Sequence, residues 1–146
     1  MNYQERLWRF QMSKMKFKKK MFIEFQNIID VKDSNFRWNN GSGWKAETLI
    51  QYAKEQKLKP FKLYFSNINI GFSPFKIDDL YDFISHCQRV NNTNLKYPVI
   101  LSETGLILDG WHRVAKAILM GKKYIYAVRF IINPEMDLEP DKETAK

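Results

Sequence analysis

The residues best suited to chemistry lie in one short segment, Leu108-Asp-Gly-Trp-His-Arg113. A strand pattern ends there, a glycine allows the backbone to turn, and a helical pattern begins, so His112 and Arg113 fall in the first turn of a helix. The helix dipole disfavours cations at that end by about 0.3–1 kcal/mol each. Free backbone N–H groups at the same end bind anions. The segment therefore predicts an anion site at Gly110, in which His112 and Arg113 pair with a bound phosphate.

Asp109 has two candidate roles beside this turn. Its carboxylate would cap the helix, or it would hold His112 in one tautomer. A plainer alternative makes Asp109 an ordinary N-cap, with both cations pointing into solvent. In either case the first-turn position predicts that replacing His112 or Arg113 with Ala leaves the fold intact.

The elements around the turn are predicted from hydrophobic periodicity and turn residues. Helices are predicted over about 45–57, 76–90 and 112–120, and strands over 61–65, 97–101, 106–108 and 124–132. The Asn- and Gly-rich segment 35–44 is predicted to be a loop. Together these elements indicate an α+β fold, with a small mixed β-sheet and helices packed on it.

The helix predicted over 76–90 presents two faces. Its core stripe consists of apolar residues at helical spacing, Ile77, Leu80, Tyr81 and Ile84. Its opposite strip holds Lys76, Asp79, Phe83 and His86, and would face either the turn or solvent, with solvent favoured for His86.

Charge divides the chain into three predicted regions. The net charge is +8 at pH 7. Residues 1–60 form a basic N-terminal arm, predicted to be helical over 2–20, and a helical extension; residues 61–132 form the main domain. Residues 133–146 form a loose acidic tail. The basic N-terminal arm suits an anionic surface such as nucleic acid, or it is a solvated helix face.

Composition excludes several classes of protein. Cys87 is the only cysteine, so an intramolecular disulfide is impossible, a zinc site of Cys and His is not expected, and Cys87 is predicted to be a small buried residue. No apolar run approaches the ~20 residues that a membrane span requires. The N-terminus lacks the apolar stretch of a secretory signal, so we expect a cytoplasmic protein that does not enter a membrane.

Residues 97–121, YPVILSETGLILDGWHRVAKAILMG, resemble the ParB/sulfiredoxin superfamily, in which a strand hairpin leads into a Gly-x-His-Arg turn and an alanine-rich helix. The resemblance covers about residues 61–132. It implies a nucleotide-binding domain of that type, with Gly110, His112 and Arg113 at the nucleotide phosphates and Glu103 and Asp109 as nearby acidic positions.

A second segment, Lys76-Ile-Asp-Asp79, resembles the Lys-x-x-Ser helix start that touches the nucleotide in sulfiredoxin-like members, with Asp79 in place of the hydroxyl. Trp111 occupies the slot of the sulfiredoxin reactive cysteine, so peroxiredoxin repair is not expected. The helix-turn-helix that follows this domain in ParB proteins is not expected here either.

Two functions from different classes follow, with a third beside them. The first is an enzyme, either an NTP-dependent kinase or NTPase, or a ParB-like nuclease. Its catalytic residues would be Glu103, Asp109 and His112. Its cofactors would be ATP or another nucleoside triphosphate, with Mg²⁺. The second is a non-catalytic nucleic-acid-binding module that uses Lys16, Lys18, Lys19, Lys20 and Arg37, with Trp38 and Trp44 stacking on bases. The third is a protein–protein adaptor that uses the tail and the aromatic loop. The oligomeric state is left open.

Overall fold

The computed structural model describes residues 2–6 and 35–142. The chain separates into two compact units, Met1–Asp30 and Val31–Lys146. In the first unit residues 3–6 are helical, and the start is capped reciprocally: the Glu5 N–H donates to Asn2 Oδ1 at 2.8 Å and the Asn2 N–H donates to Glu5 Oε2 at 3.2 Å. The rest of the helix predicted over 2–20, with Lys16, Lys18, Lys19 and Lys20, lies outside the described residues.

The second unit is built on a four-stranded mixed sheet, which confirms the predicted α+β class. Its elements, in chain order, are β1 (Asn35–Arg37), β2 (Gly43–Lys45), α1 (Ala46–Glu55), β3 (Phe61–Tyr64), α2 (Leu80–Asn92), β4 (Val99–Leu101), β5 (Ile107–Asp109), α3 (Trp111–Leu119) and β6 (Tyr124–Arg129). The sheet order is β3-β6-β4-β5, in which β4 and β6 are parallel and the other two pairings are antiparallel. No helix in the described ranges has the length and apolar character needed to cross a membrane.

Both faces of this sheet are covered, and strand alternation assigns the residues to each face. On one face Val99 and Leu101 pack with Val114 and Ala117 of α3. On the other, Ile100, Leu108 and Val128 belong to a second cluster with Trp44, Leu49 and Phe130. All three residues of β4 are therefore buried, which explains why 97–101 reads as a continuous apolar run.

The segment predicted to be a loop at 35–44 is instead the hairpin of β1 and β2. The strands approach so closely that a Cβ on Gly43 would lie 1.9 Å from the Phe36 carbonyl oxygen. Trp44 is 2% exposed and its Nε1–H donates to the Pro134 carbonyl at 2.9 Å, so the base-stacking role predicted for it is wrong. Trp38 is 39% exposed and packs edge-on against Phe36.

The described part of the acidic tail, residues 133–142, is bound to this hairpin and to α1 rather than loose. Leu138 bridges to Gly43, and Asp137 caps α1 from outside the helix. The Lys45 N–H donates to Asp137 Oδ1 at 3.0 Å and the Thr48 hydroxyl donates to Asp137 Oδ2. Lys45 itself supplies no side-chain cap, and the Asp137 carboxylate from the distant tail accepts the Lys45 N–H at the start of α1.

The α2 helix begins four residues later than the predicted start at Lys76. Asp79 is its N-cap and accepts from the Asp82 N–H at 2.8 Å. The predicted core stripe is largely in solvent: Leu80 is 70% exposed, Tyr81 54% and Ile77, in the preceding loop, 42%. The helix packs against α3 through other residues instead, and Cys87, predicted to be buried, is exposed.

Candidate anion-binding site

A cleft of about 500 Å³ opens where α3 begins. Five parts of the chain supply its lining: β1, the first residue of α1, the loop before α2, α2 itself and the β5–α3 turn. The polar and aromatic members are Asn35, Phe36, Arg37, Phe75, Lys76, His86, Arg89, Asp109, Trp111 and His112, and Gly110 lies among them.

Gly110 makes the turn at the start of α3. Its φ of 113° lies in the left-handed region, and a Cβ there would meet Arg113 Nη2 at 2.8 Å and Val99 Cα at 3.2 Å, so both conformation and space favour glycine. In the described part of the chain no side chain caps α3. The first-turn N–H groups of α3 therefore border the cleft without a side-chain acceptor.

Asp109 bonds to Arg113 rather than capping α3 or orienting His112. Arg113 Nη2 donates to Asp109 Oδ2 at 2.9 Å and to the Pro98 carbonyl at 3.2 Å. The two side chains are 16% and 14% exposed. Arg113 does not belong to the described lining of the cleft, so the structure brings Gly110 and His112 to the predicted phosphate position and leaves Arg113 out.

His112 forms a hydrogen-bonded pair with His86. His86 Nδ1 and His112 Nε2 are 2.9 Å apart. The ring planes differ by 12° and the centroids are 5.2 Å apart. This short N–N contact with a long centroid separation means that the rings lie edge to edge in nearly one plane. Phe75 covers both, with its centroid 4.4 Å from each imidazole and its plane within about 20° of theirs.

The pair can carry a proton. When both imidazoles are neutral, one inner nitrogen donates and the other accepts, so the two outer nitrogens, His86 Nε2 and His112 Nδ1, have opposite character. If the inner proton moves and the outer protons follow, the donor and acceptor ends exchange. The arrangement therefore suits transfer of a proton along the pair.

Both histidines are held in the neutral form at pH 7. Burial is the main cause that lowers the pKa of His112 to about 4, and His86, Arg89 and Arg113 lower it further. Burial and Arg89 also lower the pKa of His86, while Asp82 opposes them. An anion bound in the cleft would offset the nearby cations and raise both pKa values.

The remaining predicted site residues occupy different positions. Lys76 lines the cleft, with an 86% exposed side chain whose Nζ is 3.5 Å from Asp78 Oδ2. Arg37 also lines it, and its Nη1 donates to the Gly41 carbonyl at 2.8 Å.

Two predicted acidic residues are not brought to this cleft as the structure describes it. Asp79 is engaged as the α2 cap. Glu103 lies in the β4–β5 turn, where its backbone and carboxylate bond to Asn133 and its carbonyl accepts from Arg129. The geometry therefore gives no support to Glu103 as a catalytic base at this cleft.

Sequence reasoning missed His86, Phe75 and Arg89. His86 was expected to face solvent, yet it forms half of the pair because α2 packs against α3 through this face. The signal available was the helical strip that His86 shares with Lys76, Asp79 and Phe83, which the sequence allowed to face either the turn or solvent.

A protein-held Mg²⁺ does not fit the donors present. Of the described residues that line the cleft, Asp109 contributes the one carboxylate, and Arg113 already bonds it. Nowhere in the described ranges do three or more His, Cys, Asp or Glu side chains gather in a metal-binding group. The cleft residues suit an anion rather than a hard cation.

Comparisons with protein-family models, curated proteins and solved structures found no match for this chain. The ParB/sulfiredoxin resemblance therefore stays a hypothesis from sequence.

Proposed function

We propose that this chain binds a phosphate-bearing ligand of the nucleotide class in the cleft at the start of α3. The observation that carries the proposal is the convergence of a helix N-terminus, a neutral histidine pair and cationic side chains from three other segments on one cleft. The helix N-terminus and the cations favour an anion, and the histidine pair adds one N–H donor; β1, the loop with α2, and the β5–α3 turn supply these groups from three separate parts of the sequence.

The charge balance of the cleft supports an anionic ligand. Arg37 and Arg89 contribute positive charge, Lys76 contributes an exposed ammonium beside Asp78, and the Asp109 carboxylate is neutralised by Arg113. The histidine pair adds one outward N–H donor without adding charge at pH 7, since burial keeps it neutral. A phosphate group would meet donors on several sides.

The aromatic part of the lining supports a nucleotide rather than a free phosphate. Phe36 and Trp111 border the cleft, and Phe72 packs edge-on against Trp111 with centroids 5.3 Å apart. Base stacking on such rings contributes about 1–3 kcal/mol per base and tolerates any base. The resemblance of the Gly-x-His-Arg turn to a nucleotide-binding family points the same way.

A second candidate function, cleavage or transfer at the bound phosphate, is favoured by the histidine pair. A neutral imidazole beside a bound phosphate can accept a proton from an attacking hydroxyl or water, and the partner can return one to the leaving oxygen. The cations of the cleft would stabilise charge that develops on phosphate oxygens. Binding does not require this step.

Calorimetric titration of the chain with ADP, inorganic phosphate and a short single-stranded DNA tests the proposal. We expect the two nucleotide-containing ligands to bind more tightly than phosphate. The Arg37→Gln and His112→Gln variants should each weaken ADP binding about tenfold, as expected for ~1.5–3 kcal/mol per charge-assisted hydrogen bond. Lys122→Gln, which removes an exposed cation outside the cleft lining, is the matched control. Equal ADP affinity in all three variants would place the ligand elsewhere.

A further inference from the structure

A second cavity, of about 620 Å³, lies on the other side of the Asp109 turn from the cleft. Its walls come from α1, the segment after it, β4 and β6. They are mainly apolar and include Ile50, Ala53, Leu58, Pro60, Ile100 and Val128. Asp109 is the one residue that the described linings of the cavity and the cleft share.

Positive charge is concentrated at this apolar cavity. Lys54 and Lys57 are exposed and stand at its edge, and Arg113 borders it from the turn. The Arg113 guanidinium is underused: its described hydrogen bonds all involve Nη2, and its Nε is buried without a partner in the described part of the chain. Three cations therefore face one carboxylate, Asp109, which is already paired.

Lys57 holds a backbone conformation that lysine rarely adopts. Its φ of 48° is in the left-handed region, just after α1 ends, where glycine is the usual residue. Lys57 belongs to the described lining of the cavity. A lysine in a backbone conformation that favours glycine is a local strain of the kind that often accompanies functional sites.

We propose that this cavity is a binding site for a small amphipathic anion, an aliphatic or aromatic carboxylate or sulfonate whose apolar body fills the cavity and whose acid group meets Lys54, Lys57 and Arg113. The volume lies within the ~300–1,000 Å³ of known ligand pockets, which are similarly apolar with a few polar groups. The excess of cations selects an anionic head group. The site does not depend on the proposed function, because its lining residues other than Asp109 are separate.

Octanoate and 1-octanol, which share a chain length and differ in charge, are the probes for this site. Calorimetric titration of the full chain should show octanoate binding at least tenfold more tightly than 1-octanol. The double variant Lys54→Gln/Lys57→Gln should lose most of that preference, whereas Lys62→Gln/Lys122→Gln should keep it. Equal binding of the acid and the alcohol by the wild type would overturn the proposal.

Filling the cavity gives an independent test. Ala53→Trp should weaken octanoate binding at least tenfold, whereas Gln51→Trp, which places the same side chain at an exposed position of the same helix outside the described cavity lining, should leave it unchanged. Methyl NMR on the wild type removes any dependence on folding of the variant: octanoate should shift the Ile50, Ile100 and Val128 methyl signals. Shifts confined to other methyl groups, or equal octanoate affinity in both Trp variants, would contradict a site in this cavity.

Discussion

At the scale of single residues, the histidine pair is the most informative feature of the site. His86 and His112 lie 26 positions apart and meet edge to edge beneath Phe75. The sequence indicated His112 because its turn is local, with a glycine and a helix start within three residues. It could not indicate His86, since no local pattern states which face of α2 covers the turn.

The lowered pKa of His112 predicts a specific dependence of stability on pH. Between about pH 6.5 and 4 the unfolded chain binds a proton at His112 that the folded chain does not, so the free energy of unfolding falls as the pH drops through this window. One proton corresponds to at most about 1.4 kcal/mol per pH unit, and partial exposure of the ring reduces this figure. Urea unfolding at pH 7 and pH 5 should show a larger loss for the wild type than for His112→Gln. Equal losses would mean that His112 titrates normally.

Arg113 also departs from its predicted position, and the structure changes what its removal should do. A first-turn cation in solvent could be removed without loss, but Arg113 is 14% exposed and bonds both Asp109 and the Pro98 carbonyl. Arg113→Ala should lower the free energy of unfolding by about 2–3 kcal/mol, because it leaves a mostly buried carboxylate unpaired.

The Asp109→Asn/Arg113→Ala double variant is the control for this ion pair. It should recover part of the lost stability, since the remaining side chain carries no charge. A free energy of unfolding for Arg113→Ala within about 0.5 kcal/mol of the wild-type value would show that the Arg113 side chain points into solvent, which was the alternative prediction from the sequence.

At the scale of elements, strands were predicted more accurately than the faces of helices. The four strands of the sheet lie within the predicted segments, apart from Asp109 at the end of β5. Burial on both faces gives β4 and β5 a dense apolar signal, whereas the mostly exposed edge strand β3 was predicted from alternation. The prediction that the apolar stripe of α2 is buried in the core was wrong, since periodicity reports amphipathicity and does not state what covers the apolar face. The β1–β2 hairpin was missed because each strand has three residues and the tail completes its packing.

The cap that Asp137 provides to α1 is a tertiary contact with a testable effect. Asp137→Ala should lower the free energy of unfolding by about 1 kcal/mol through the loss of an N-cap, and Glu139→Ala, a neighbouring change in the same tail, should not. The Thr48 hydroxyl and the Lys45 N–H lower the pKa of Asp137 below 3.8. The cap is therefore fully formed above that pH and is lost as the pH falls below it. Chemical denaturation of both variants at pH 7 measures the effect, and equal stabilities would contradict it.

At the scale of the whole molecule, the β5–α3 turn separates two kinds of surface. The cleft on the His112 side is cationic and aromatic, and the cavity on the Arg113 side is apolar with a cationic edge. The Asp109–Arg113 ion pair holds the turn between them. The sequence predicted chemistry at this turn from its local pattern, but it placed His112 and Arg113 on the same ligand, whereas the side chains of consecutive helix residues point about 100° apart.

Ring NMR of the two histidines tests the central claim most directly, because the chain contains only these two and both belong to the cleft. During titration with ADP at pH 7, the ring signals of His86 and His112 should both shift, saturate at a common dissociation constant and move towards the protonated form. The Lys122→Gln variant should reproduce this response, and Arg37→Gln should require about tenfold more ADP. Histidine signals that stay unchanged at millimolar ADP in the folded protein would contradict a nucleotide site at the start of α3.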